Sequence, residues 1–445
     1  MGAGGGLETV ELAIRTAVTG LGGRLREDLP GLDTGYRGPR AGGGAGHEAE
    51  VVSCRAKAID TVPGPVRLRR AGYHCATCRH GAAPKDAELG VAGRAPMSPG
   101  LVKMTARAAA AVPFAKAAGL LAGLAGIDLT TKRTERSAEA TGAATAAAIA
   151  AQTDAICARQ VVPLPPPGPL PDMLYTAADG TGVPMVAADT EGRNGKAGDG
   201  QARTPEINLA CLFTQTSLGG GRPAGDPRSW SCRATFEPAA RFGALVDAGA
   251  RRRGSAHIRQ LVVPGDGAVW SWNLADELFP AATQIVDLYH AREHAHDLAT
   301  LASRLPRDSH PDWLAERLAE LGTGNIPALP AAGRNLKFTG SLATERDRQP
   351  GYFETNAHPM RYAHLRSLGM FAGSGAAEAG GKAAIGQRLK LSGMRWTIPG
   401  AASIATLRCQ DASNRWDQIW KRPHNQTGAN QHRICQRQHT QTAAG

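Results

Sequence analysis

Residues 161–171 read VVPLPPPGPLP, and no other stretch of this 445-residue chain constrains its fold as strongly. Each proline fixes φ and removes a backbone donor, which keeps the segment out of helix interiors and sheet centres and favours stiff, extended polyproline II. The stretch predicts a domain boundary. On its N-terminal side, residues 98–160 are rich in Ala, the best helix former, with Pro113 at a helix boundary. Earlier still, residues 31–50 (GLDTGYRGPRAGGGAGHEAE) carry many glycines and almost no large apolar side chain. They predict a flexible connection after an N-terminal helix, so that residues 1–50 form helix and linker. Residues 51–95 shift to short β-like runs such as GPVRLRRAGYHC, ending in the knuckle CATC.

Beyond the prolines the texture alternates. MLYTAADGTGVPMV predicts two strands joined at residues 180–182, INLACLFT a third, residues 237–253 a helix, QLVVPGDG a fourth strand and TQIVDLYH a fifth. Residues 297–350 are more helical and polar and predict an insertion, after which GAAEAGGKAAIGQRLK returns to helix. Three strands, a helix, then strands separated by helices is the order of an RNase H-like fold. The predicted class is therefore α/β, with this domain over residues 172–422 and a polar tail over 423–445.

Charge bears on partners. Lys and Arg number 51 against 39 Asp and Glu, a net charge of +12, which makes a polyanion, nucleic acid first, the partner to test. Residues 379–445 alone carry +8, with Lys382, Arg388, Lys390 and Arg395 among the cations and Trp396, Trp416 and Trp420 interleaved. That mixture suits phosphate binding with base stacking, and equally a buried tryptophan cluster packing the terminal helices. The start, MGAGGGLETVELAIR, has no basic region followed by an apolar one, and residues 104–126 are interrupted by Arg107, Pro113 and Lys116. No secretion signal, lipid anchor or membrane span is expected. Eight scattered cysteines suit a reducing cytoplasm better than a disulfide framework.

Three acids fall at telling places: Asp179 at the end of the first strand, Asp266 after the fourth, and Glu378 on the helix beyond the insertion. A lone Asp before Gly is ordinarily a turn residue. Carboxylates from separate elements that converge can instead hold Mg²⁺ or Mn²⁺, and a metal pair activates one oxygen and stabilises another at a phosphodiester. Asp287 and His290 form an acid-x-x-His pattern, with His294 and His296 following, and His290 is expected to support the metals. Gly373, Gly375, Gly380 and Gly381 surround Glu378, where small residues suit either close approach of a DNA backbone or neighbouring strand, or ordinary helix packing.

The strings AADGTGVP at Asp179, GDGAVWSWNLADELFPAATQIVDLYHAREH from Gly265, GYFETNAHPMRYAHLRSLGMFAGSGAAEAGGKAAIGQRLKLSGMRW from Gly351, and LRCQDASNRWDQIW resemble the ISKra-type insertion-sequence transposases. These are bacterial DDE enzymes with an RNase H-like catalytic domain, and the resemblance covers about residues 50–422. It implies that Asp179, Asp266 and Glu378 are catalytic and metal-binding, and that the chain cleaves DNA at element ends and joins the ends to a target. Double-stranded DNA, at terminal repeats and target, would be the partner, bound by a homo-oligomer in the nucleoid. The family also implies a zinc ribbon in residues 51–95. Here only Cys75 and Cys78 are in place, with His47, Cys54, His74 and His80 as replacement ligands for zinc, and Gly381 stands where the family often has Cys. Residues 96–160 contain FAKAAGLLAGLAGIDLTTKRTERSAEATG, a helix-turn-helix pattern capped at Thr130 or Thr131. Its basic residues Lys132, Arg133 and Arg136 would read the element end. A catalytically inactive DNA-binding remnant acting as repressor is the alternative, favoured by the absence of the family's first cysteine knuckle, which would fall near residues 40–48, and by the tail QHRICQRQHTQTAAG. A cellular RNase H-like nuclease or junction resolvase would share the acids but leave the long strings unexplained.

Overall fold

The computed structural model describes residues 33–42, 47–91, 96–165, 167–193, 204–219, 222–226, 228–304, 312–373 and 380–420, with scattered helical positions between 11 and 22. It divides into two compact units, 1–138 with 417–445, and 139–416.

In the first unit, strands β1 (Arg40–Gly42), β2 (Glu48–Thr61), β3 (Gly64–His74) and β4 (Gly81–Ala82) form an antiparallel sheet in sequence order. The long β2–β3 hairpin buries Ile59, Val66 and Leu68 with Val91, beside the short helix α1 (Pro84–Glu88). Helices α2 (Pro99–Ala111) and α3 (Phe114–Ala125) follow. Ser98 caps α2 by accepting from the Leu101 amide, and Gly126 ends α3 in the left-handed region that a residue without Cβ adopts at no cost. Helix α4 (Thr131–Cys157) is capped by Thr130, whose hydroxyl accepts from the Arg133 amide, one of the two cap positions, Thr130 or Thr131, that the sequence offers. The two units meet between residues 138 and 139, inside α4, whereas the sequence puts its clearest boundary at residues 161–171. Propensity marks where a helix breaks, not which core each of its faces joins.

The second unit is α/β, built on a mixed five-stranded sheet: β5 (Met173–Gly182), β6 (Glu206–Gln215), β9 (Ser231–Thr235), β10 (Gln260–Gly265) and β11 (Thr283–Val286), in the order β11-β10-β5-β6-β9. The short pair β7 (Ser217–Gly219) and β8 (Arg222–Ala224) stands apart. β6 runs antiparallel to both β5 and β9, and β10 and β11 run parallel to β5. Two strand expectations change. The residues after Gly182 add only a bridge from Met185 to Trp396, and the unpredicted strand is β9. Its sequence, SCRAT, has no apolar alternation because polar groups are satisfied inside, Ser231 accepting from the buried Arg253.

Alternation along β5 explains the layers. Tyr175 and Met173 face a cluster with Phe213, Val262 and Ile285, while Leu174 faces another with Leu212, Val246 and Val263. The second is covered by α5 (Ala239–Arg251) and α6 (Val269–Leu278). The first is covered by α7 (Leu288–Ala302), α8 (Trp313–Thr323), α9 (Ala328–Asn335), α10 (Ser341–Thr355) and α11 (Tyr362–Ser367), which extend on both sides beyond residues 297–350, the range expected for an insertion. Tyr175 and Phe213, paired across β5 and β6, stack at 4.7 Å. The last helix, α12 (Ile398–Ala412), packs so closely on α4 that a Cβ at Gly142 would collide with the Ser403 carbonyl.

Candidate active site

Strand register brings the acids together. Val262 lies opposite Tyr175 and Gly265 opposite Val286. Continued to the strand ends, this register levels Asp179 with Asp266 and Asp266 with Asp287, on three adjacent strands. The Asp287 amide donates to the Gly265 carbonyl at 2.8 Å, fixing the last step. Sequence separations of 87 residues between Asp179 and Asp266 thus close at one sheet edge.

The electrostatics fit crowded carboxylates. Asp179 is open to solvent at its strand end, yet the protein packed around its carboxyl group, and then repulsion from Asp266, raise its pKa. The Gly180 amide, His290 and Lys390 oppose that shift. Gly381 runs directly past Asp179: a Cβ there would lie 3.9 Å from Oδ2. On the other flank, a Cβ at Gly373 would lie 4.0 Å from Asp287 Oδ2. Glu378, the third acid of the predicted triad, and Gly375 lie outside the described residues.

The turn carrying Asp266 is clamped from the helical segment. Asp266 Oδ1 accepts from the Ala268 amide at 2.9 Å, and its carbonyl accepts from Tyr352 Oη at 2.9 Å. Gly267 has φ +91°, and a Cβ there would meet the Tyr352 ring at 2.8 Å, so both conformation and space require glycine. Asn356, 2 % exposed, donates to the Tyr352 carbonyl and accepts from Trp272 Nε1 at 2.8 Å. Tyr352 stacks on His294 with centroids 3.6 Å apart. Sequence reasoning missed Tyr352 and Asn356; nothing in an isolated helix marks them, since their partners lie 86 and 84 residues away.

Asp287, only 3 % exposed, caps α7 by accepting from the amides of Tyr289 and His290. His290 is half-exposed, and its Nδ1 lies 3.2 Å from Glu293 Oε2. A second polar chain carries the segment before residue 374 to the sheet: Tyr175 Oη donates to Gln215 and accepts from the Phe371 amide, and Gln215 donates to the Gly369 carbonyl.

The predicted DNA-binding residues divide. Lys382, Lys390 and Arg395 are exposed, and Lys390 donates to Thr181 Oγ1 beside Asp179. Arg388 is a correction: it is fully buried, its guanidinium 4.9 Å over the Trp396 ring and donating to Met394 Sδ, with burial and then Arg408 lowering its pKa to about 10. A phosphate cannot reach it. Trp396 and Trp416 are also buried, as packing residues rather than stacking platforms. On α4, Lys132 pairs with Glu135 and Arg133 with Asp60, while Arg136 is exposed. The glycine at 380 serves the neighbouring strand, because a Cβ there would collide with Cys211 Sγ.

In the first unit, His47, Cys75 and Cys78 bring their ligand atoms within 4.8 Å of one another, the group among the described residues that could hold a metal ion. His47 Nδ1 is buried with no hydrogen-bond partner among the described residues. The amide of Cys78 lowers the Cys75 pKa against the opposing effect of burial, favouring a thiolate. His80 is turned to the Cys78 carbonyl, and Cys54 is exposed on β2. Among the described residues no helix is long and apolar enough to cross a membrane. No family model matches the chain, and no curated protein is significantly similar to it.

Proposed function

We propose that the chain is a DNA transposase of the RNase H-like DDE class, acting on the ends of an insertion sequence as a homo-oligomer on DNA. The observation that carries this reading is the levelling of Asp179, Asp266 and Asp287 at the ends of three adjacent parallel strands. The sheet supports it too: three antiparallel strands followed by two parallel ones, in the order β11-β10-β5-β6-β9, is the RNase H-like arrangement.

Mg²⁺ or Mn²⁺ held by Asp179 and Asp266, with Glu378 as the expected third ligand, would supply activation of an attacking oxygen and stabilisation of a leaving one. Hard carboxylate oxygens fit such ions, since a bound cation favours the ionised form that burial, and then repulsion from Asp266, disfavour at Asp179. Tyr352 and Asn356 hold the Asp266 turn in place, Asp287 fixes the start of α7 and thereby His290, and Lys390 offers a cation beside Asp179. In the same reading His47, Cys75 and Cys78 would supply three of the four ligands of a structural zinc ion.

Replacing Asp179 by Asn tests the assignment on labelled end DNA in Mn²⁺. Loss of several kcal/mol of metal clamping predicts a drop in cleavage of about a thousandfold, with DNA binding nearly unchanged. Equal cleavage by the variant would discard the assignment. Sequence-specific binding with no cleavage by wild type or by Glu378→Gln would leave the repressor-like remnant.

A further inference from the structure

Strand β9, at the edge of the five-stranded sheet, gathers arginines inside the second unit. Arg233 of β9 and Arg253, just past α5, are each 9 % exposed, and Arg415, just past α12, is half-buried. Arg253 donates through Nε and Nη2 to Ser231 Oγ, and Arg233 donates through Nη1 to the Cys232 carbonyl. These bonds orient the side chains and bring no negative charge. Arg252, donating to Gln152 Oε1 of α4 at 2.6 Å, adds a fourth guanidinium to the group.

Carboxylates of the surrounding helices are taken by other arginines: Asp154 and Glu237 by Arg241, and Asp247 by Arg251. Among the described residues Arg233, Arg253 and Arg415 take part in no ion pair, and Asp411, one turn before Arg415, pairs with none of them. Burial, and then the field of Arg415, lower the pKa of Arg233 and of Arg253 to about 10. Burial and then Arg252 lower that of Arg415. A charge removed from water is ordinarily paired or bound to an ion, so this cluster suits a counter-charge from outside the chain.

There is room for one. Between residues 146–150 of α4, β9, α5 and α12 lies a cavity of about 70 Å³ whose lining includes Arg233, Thr235, Thr406 and Gln410, with the Arg241–Glu237 ion pair at its wall. One water needs only about 10–15 Å³ of such space, so the cavity takes a group of several heavy atoms. Gln410 is 5 % exposed, and its Nε2 is buried with no acceptor among the described residues. A guanidinium without a carboxylate and an amide donor without an acceptor therefore line the same cavity. A tetrahedral oxyanion accepts from several donors at once, and the guanidinium fork matches its geometry. We propose that the cavity at the edge of β9 is an oxyanion site that binds phosphate through Arg233 and Gln410, with Arg253 and Arg415 supplying the positive field around it. The phosphate is either the free ion or a group of a DNA backbone. The site lies on a strand that carries none of the three acids, and it does not rest on the transposase reading.

The experiment uses the full chain without added divalent ion, titrated with sodium phosphate in a calorimeter, with sodium chloride at equal ionic strength as the control. Wild type binds phosphate at a single site and shows no such heat with chloride. Loss of a hydrogen bond to a charged group weakens binding by about tenfold or more, and Arg233→Gln and Gln410→Leu are each expected to show it. On the unmutated chain, phosphate at a hundredfold excess over its Kd raises the unfolding midpoint by about 5 °C, a gain that Gln410→Leu loses. A short DNA duplex added to the phosphate-loaded chain separates the two sources. Displacement of the phosphate assigns the site to the DNA backbone, and phosphate retained under saturating duplex assigns it to the free ion. Absence of phosphate binding by wild type, equal binding of chloride, or undiminished affinity in either folded variant would each overturn the proposal. A chain that binds phosphate here but neither binds nor cuts DNA keeps this site and discards the transposase.

Discussion

The cysteine knuckle and the carboxylates at the sheet edge each bring candidate ligand residues to one place, and they are built in opposite ways. Cys75 and Cys78 lie within four residues of one turn, and the amide of one conditions the thiol of the other. Asp179, Asp266 and Asp287 come from three strands and meet only because the sheet sets their register. The charged state is favoured locally at Cys75 and disfavoured by surrounding protein at Asp179. A local site thus depends on a few backbone bonds, while a long-range site depends on everything that holds its strands level.

That difference sets the size of the expected effects. Cys75→Ser removes a thiolate from the knuckle and is expected to weaken Co²⁺ or Zn²⁺ binding by more than the 10–100-fold typical of outer-shell changes. The thiolate-to-cobalt absorption reads it, and Mn²⁺ affinity at the carboxylates should not move. A parallel loss of Mn²⁺ affinity would break the contrast between the two sites.

Gly267→Ala comes next. The new Cβ would meet the Tyr352 ring in a left-handed backbone, which costs about 1–3 kcal/mol and displaces Asp266. We expect cleavage to fall about tenfold or more while Co²⁺ binding at the knuckle stays intact. Unchanged cleavage would mean that the turn is not what positions Asp266.

Tyr352→Phe is the smallest change. It deletes the hydrogen bond to the Asp266 carbonyl, worth about 1 kcal/mol, and leaves the stack on His294. A rise of about fivefold in the Mn²⁺ concentration for half-maximal cleavage is expected, with DNA affinity unaltered. A fall in DNA affinity instead would give Tyr352 a role in binding rather than in positioning.

Local features were legible without coordinates. Thr130 as a cap, the helices flanking Pro113, the β-rich module before the CATC knuckle and the helical segment between β11 and α12 all follow from propensity, periodicity and turn chemistry. β9 was not legible, because a strand buried through polar residues has no apolar alternation to read. Arg388 misled for a related reason: sequence reports a cation, and only packing shows its guanidinium lying over Trp396.

By itself the sequence determined most of the segments that form helix, strand or break, since these depend on neighbours a few residues away, and it named the acids and cysteines only as candidates. The tertiary structure alone decided that Asp287 stands level with Asp266 and that Tyr352 and Asn356 clamp the turn from some 85 residues away. Strand register and burial couple groups through space, and no pattern along the chain encodes those distances.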